Sequence, residues 1–129
     1  MRRQLAGFVV TGSAAALAHM GVVWLLVEQA GLAPLRANIP AFGVAFLLSY
    51  AGHRHLSFAA TAVPHRRALP RFLGVAVAGL ALNQLLFALL LACTRLPYGL
   101  ALFLVLATVA GVTFLLARHW AFAGASRRR

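Results

Sequence analysis

Residues 5–27 read LAGFVVTGSAAALAHMGVVWLLV, and residues 69–91, offset by 64 positions, read LPRFLGVAVAGLALNQLLFALLL. Leu5 meets Leu69, Phe8 meets Phe72, His19 meets Asn83, and Leu25-Leu26 meets Leu89-Leu90. Each segment is close to the roughly 20 apolar residues that cross ~30 Å of hydrocarbon as a helix. Worked outward, the correspondence holds without a gap from Arg3–Ala59 onto Arg67–Ala123. Ala37 then falls on Ala101, and Arg54-His55-Leu56-Ser57-Phe58 falls on Arg118-His119-Trp120-Ala121-Phe122. A gapless internal repeat in an apolar chain is a common mark of transporter folds and directs attention to where the halves meet.

Composition supports the membrane reading. The 129 residues are 63% hydrophobic and 10% charged. A soluble domain of this size could not cover so much apolar surface. Four spans are expected, at about Leu5–Val27, Leu35–Gly52, Phe72–Cys93 and Gly99–Ala117. The first is too long for a signal-peptide core and has an internal counterpart, so it is expected to remain in the mature protein. The fold expected is all-α, four transmembrane helices arranged as two parallel two-helix repeats in one membrane domain of residues 1–129. Repeat 1 covers about 3–59, a linker about 59–70, repeat 2 about 67–123, and a basic tail 124–129.

The chain has twelve Arg, no Lys, no Asp and one Glu, Glu28. Ten of the arginines lie at the termini or in the middle loop, and only Arg36 and Arg95 lie in the two short hairpin loops. This asymmetry places both termini and the middle loop in the cytoplasm. A net charge of +11 would suggest nucleic acid in a soluble protein. Flanking apolar spans, the same arginines suit anionic lipid headgroups. Gly31–Pro34 and Arg95–Gly99 read as tight outer turns. Glu28 reads as a solvated helix end, and Cys93, alone, as a small hydrophobe. Gly12/Ala16 and Gly74/Ala78 have spacings that let helices approach closely.

Two sets of residues could carry chemistry. Arg54 and Arg118 close the second and fourth spans, each followed by His55 or His119. They could anchor helix ends and offset the C-terminal helix dipoles. As a pair, their planar forks also suit the oxygens of a phosphate, with His55 and His119 in support. Tyr50 and Trp120 fit an interfacial aromatic belt or could stack on a sugar ring. Inside the spans, His19 and Asn83 occupy matched positions, as do Ser49 and Thr113. Such polar residues either bond between helices or line a polar seam for a headgroup. Asn38 faces Leu102 across the repeat and reads as a cap or an isolated outer contact. His53-x-His55 and His65 lack further ligands, so no metal site is expected.

These residues resemble the GtrA-like family. The resemblance rests on Phe8-x-Val10-x-Gly12, His19, Ala37-Asn38, Ser49-Tyr50 and Arg54-His55-x-x-Phe58. In the second half it rests on Arg71-Phe72, Asn83, Thr113-Phe114 and Arg118-His119-Trp120-x-Phe122. Where His19 stands an acidic residue is common in that family, and where Leu56 stands, a Trp. The resemblance implies a small four-helix protein of the bacterial inner membrane that handles polyprenyl-phosphate-linked sugars for cell-surface polysaccharide modification.

Missing residues narrow the chemistry. No Gly-rich loop with Lys exists to hold ATP phosphates. One Glu without Asp supplies neither the carboxylate pair of a glycosidase nor a cluster for a divalent metal. No enzyme activity and no cofactor are therefore expected. The function expected is binding and flipping of a polyprenyl-phosphate or polyprenyl-phosphate-sugar lipid. The alternative is a scaffold that docks a polyprenyl-phosphate glycosyltransferase without transporting. The expected partners are the membrane, that lipid, such a glycosyltransferase and, for an oligomer, a second copy of the chain; nucleic acid is not expected.

Overall fold

The computed structural model describes residues 2–52, 55 and 65–123, with the side chains of residues 113–123 among those outside the description. Four helices follow in order: α1 (Arg2–Glu28), α2 (Pro34–Gly52), α3 (His65–Cys93) and α4 (Tyr98–Ala123). No strand occurs among the described residues. α1 pairs most closely with α2 and α3 with α4, and the two hairpins meet through α2·α3 and α1·α4. The short connections lie at one end of the bundle, here the hairpin end. The start of α1, the end of α2, the start of α3 and the end of α4 share the other, terminal end.

Local chemistry explains the turns. α1 stops where Gly31 takes φ +66, a left-handed conformation that a Cβ disfavours. Around it the Leu32 N–H donates back to the Leu26 carbonyl at 3.1 Å. Pro34 opens α2, where a missing N–H is harmless. The Ala33 carbonyl receives the N–H groups of Arg36 and Ala37 at 2.9 and 3.0 Å. Across the hairpin end, the Tyr98 hydroxyl donates to Glu28 Oε1 at 2.6 Å. Glu28 is thus exposed yet bonded, tying the end of α1 to the start of α4.

Two helix boundaries differ from the sequence reading. α3 begins at His65, within the stretch expected to link the halves, and carries Pro70 in its second turn. Near a helix start, a proline removes few backbone bonds. α4 runs on to Ala123, so Arg118, His119 and Trp120 belong to the helix instead of following it.

Segments Ala6–Glu28 and Leu73–Cys93 are long and apolar enough to cross a membrane, with mean hydropathies of 1.7 and 2.2. Tyr98–Val112 is a shorter apolar stretch. The core helix of a soluble protein is mostly buried, whereas only 22% and 11% of the apolar windows in those two segments are. Leu17, Trp24, Leu47 and Val75 turn outward, as lipid-facing residues do. The protein is an all-α membrane protein.

Its compact core lies toward the hairpin end, formed by Val23, Ala37, Ala41, Phe87, Ala101, Leu102 and Val105. Buried positions recur at the 64-residue offset: 19 with 83, 23 with 87, 37 with 101, 38 with 102 and 41 with 105. The small-residue spacings play no part in this core. A Cβ built on Gly12 or Gly74 meets nothing within 4 Å. The close approach is instead at Gly52, whose added Cβ would collide with Thr11 Cγ2.

Candidate functional site

Beside that core, four polar side chains form a largely buried chain across three helices. His19 on α1 contacts Asn38 Oδ1 on α2 through Nε2 at 2.6 Å. The Asn38 amide nitrogen donates to Asn83 Oδ1 and to Gln84 Oε1 on α3, both at 2.7 Å. Gln84 Nε2 then donates to the Leu35 carbonyl at 2.8 Å. His19, Asn38 and Asn83 are at most 2% exposed.

The backbone carbonyl orients the whole chain. Leu35 O can only accept, so the Gln84 nitrogen faces it and Gln84 Oε1 faces Asn38. Asn38 must therefore present its NH2 to Gln84 and Asn83, and its oxygen to His19. His19 Nε2 consequently carries a proton and donates it. Both hydrogens of the Asn38 amide are used, and no member of the chain opposes an acceptor to an acceptor. In an apolar surround the complete pairing of the Asn38 amide matters, because an unpaired buried amide costs several kcal/mol.

Asn38 is therefore not a cap or an isolated outer contact. It is the hub, fully buried, because its side chain points between α1 and α3. Gln84 was not singled out from the sequence either. The 64-residue offset pairs it with Met20 and pairs Asn38 with Leu102, so neither has a polar match in the repeat. The signal available was simply their polarity within apolar spans.

On the terminal side of this chain lies an open, largely apolar cleft of about 270 Å³ bordered by all four helices. His19 and Asn83 line it together with Ser49, and Phe42 and Phe46 form part of its wall. The His19 ring meets Phe42 edge-on, with centroids 6.2 Å apart. Tyr50 stacks on Phe46 at 6.4 Å. The cavity thus brings together three of the four residues expected along a polar seam; the Thr113 side chain lies outside the described residues. Around Asn38 the neighbouring buried residues of α2, Ala37 and Ala41, are apolar. The polar chain continues through Gln84 to the carbonyl of Leu35, the second residue of α2, at the hairpin end.

Nearer the terminal end, Thr11 is 5% exposed, and its Oγ1 is the one buried side-chain polar atom without a hydrogen-bond partner among the described residues. Gly52 lies against it, at the last residue of α2. His55 is exposed. Arg54 lies outside the described residues, as do the side chains of Arg118, His119 and Trp120, whose backbone is in α4. No group of three metal-ligating side chains occurs among the described residues.

No curated protein and no solved structure matches the chain. The family model described as the GtrA/DPMS transmembrane domain matches residues 7–122, a span that includes all four helices, the polar chain and the cavity. The chain is thus a member of the GtrA/DPMS transmembrane-domain family.

Proposed function

We propose that this protein binds a polyprenyl-phosphate or polyprenyl-phosphate-sugar lipid in the bacterial inner membrane and carries its headgroup across, for cell-surface polysaccharide modification. The observation that carries this reading is the open, largely apolar cleft bordered by all four helices, with His19, Ser49 and Asn83 among its lining residues. Membership of the GtrA/DPMS family supports lipid-linked sugar as the cargo class.

In this reading Arg54 and Arg118, with His55 and His119, grip the lipid phosphate at the cytoplasmic, terminal end. The two halves are repeats related by an axis along the membrane normal, supported by the buried positions that recur 64 residues apart. The chain is a carrier and not an enzyme. A phosphodiester lipid bears one negative charge, so an inside-negative potential favours its outward passage by about 2.3 kcal/mol per 100 mV. No ATP is required.

The packed core on the hairpin side favours a second reading, in which the protein holds the lipid at one face and presents it to a membrane glycosyltransferase. Binding is common to both and is tested first. Native mass spectrometry of the purified protein should show co-bound prenyl phosphate. Arg54→Gln or Arg118→Gln should weaken binding by roughly 1.5–3 kcal/mol, the scale of a hydrogen bond to a charged group. Arg→Lys should restore only part of it, keeping the charge but losing the bidentate fork. Full affinity in both Gln variants would reduce the arginines to interface anchors.

A further inference from the structure

The two hairpins share a sequence pattern but not a packing, and they differ in their terminal halves. Thr11, Ala15, His19 and Val23 form an i, i+4 stripe that is buried along α1. Their counterparts 64 residues on are Val75, Gly79, Asn83 and Phe87. Asn83 and Phe87 are buried, but Val75 is 73% exposed and Gly79 is only partly covered. The repeat holds at the hairpin end and breaks toward the termini.

Side-chain size accounts for the break. α2 turns Asn38 and Gly52 toward α1, where they meet His19 and Thr11. By their spacing, Asn38, Ala41, Ala45, Ser49 and Gly52 share that face of the helix. At the matching positions α4 carries Leu102, Val105, Val109, Thr113 and Leu116, each larger than its counterpart. Small residues let helix backbones approach closely in a membrane, and larger ones keep them apart.

Anchoring differs in the same way. Helices in a bilayer gain little from hiding apolar surface and are held together by packing and hydrogen bonds. α3 is bonded to α2 through Asn83 and Gln84, and α4 to α1 through Tyr98. Residues 73–82 of α3 include no polar side chain. In residues 103–112 of α4 only Thr108 is polar, and it donates to the Leu104 carbonyl of its own helix at 2.7 Å. Over these stretches α3 and α4 exchange each other for lipid at little cost.

We infer that the second hairpin is the lateral gate of the cleft. The terminal halves of α3 and α4 part and close about a fixed hairpin end, while α1 and α2 stay together. The fixed end is the core of Phe87, Ala101, Leu102 and Val105 with the Tyr98–Glu28 bond. The opening is bounded by Ala76 and Gly79 on α3 and by Val109 and Ala110 on α4. It faces the leaflet on the terminal side, so the chain of an amphiphile enters sideways with its polar end at the interface. The gate is a property of the bundle; its use for lipid passage rests on the proposed function.

Matched spin labels compare the hairpins in a Cys93→Ser background. Val10 and Leu48 correspond to Gly74 and Val112, and all four positions are exposed. Nitroxides go on Val10→Cys/Leu48→Cys and on Gly74→Cys/Val112→Cys, and double electron–electron resonance in nanodiscs gives each distance distribution. The second-hairpin distribution should be roughly twice as wide as the first or more, with a longer mean. Val109→Ala with Leu116→Ala should narrow and shorten it, and Val109→Ala alone should act in the same direction. Distributions of equal width in the two hairpins would overturn the gate. So would a second-hairpin distribution unchanged by both variants while their helicity matches wild type.

A bis-maleimide bridge across the second pair should slow exchange of a fluorescent prenyl-phosphate monosaccharide in liposomes roughly ten-fold or more, and a bridge across the first should not. Unchanged exchange with the second pair bridged would overturn the gate as the way in. A wide second-hairpin distribution in a protein that exchanges no lipid would contradict transport and leave the gate standing.

Discussion

Asn38→Leu removes the hub of the buried chain. Three bonds go at once, to His19, Asn83 and Gln84. Interhelical hydrogen bonds in membranes average about 0.6 kcal/mol and reach about 1.7, so the loss totals roughly 2–5 kcal/mol. The upper part of that range is expected because Asn38 is 0% exposed and its three partners cannot be rehydrated without moving helices. Asn38→Asp, nearly isosteric, keeps an acceptor for His19 but turns a second oxygen toward Asn83 Oδ1 and Gln84 Oε1. It should be at least as damaging. Asn38→Leu combined with Gln84→Leu should cost less than the sum of the two singles, since they share a bond. The assay is equilibrium unfolding in mixed micelles with rising SDS, followed by far-UV circular dichroism. An Asn38→Leu protein within ~0.5 kcal/mol of wild type would refute the hub.

Gly52→Ala should destabilise by about 1–3 kcal/mol, the range for overpacking, because its Cβ strikes Thr11. Thr11→Ala should rescue it in the same unfolding assay; a neutral Gly52→Ala would mean that α1 and α2 are looser there than described. Gly31→Ala should cost about 1–2 kcal/mol for its left-handed backbone, and Gly31→Asn less. Equal stability of Gly31→Ala and wild type would show that the turn relaxes. The exposed Cys93, last residue of α3, tests orientation without mutation. It should react with membrane-impermeant thiol reagents in intact cells, whereas Arg66→Cys in a Cys93→Ser background should be shielded; the reverse pattern would invert the topology.

The helices were readable because apolar run length and loop arginines need no tertiary information. Their ends were not. Proline at 70 and the arginines near 66 and 118 argue against hydrocarbon, but helix continues through water and headgroups alike, so α3 and α4 outrun their apolar segments. His19 and Asn83 were found as a matched pair, and both line the cavity. Asn38 and Gln84 were not grouped with them for a physical reason. The hydrogen bonds run from the first half to the second, so each partner occupies a different register position and the repeat hides the pairing. The empty volume was equally invisible, since it depends on Gly12, Gly79 and several alanines leaving space that no neighbour fills.

The central claim is tested most directly by reconstituting the purified protein alone into liposomes with a fluorescent short-chain prenyl-phosphate monosaccharide and following its accessibility to an external quencher. The account predicts that wild type equilibrates the lipid between leaflets faster than protein-free liposomes. It predicts that Arg54→Gln and Asn83→Leu slow this exchange, while the lipid-facing Leu17→Ala does not. Exchange at the protein-free rate, with the lipid still bound, would contradict transport and leave the presenting role.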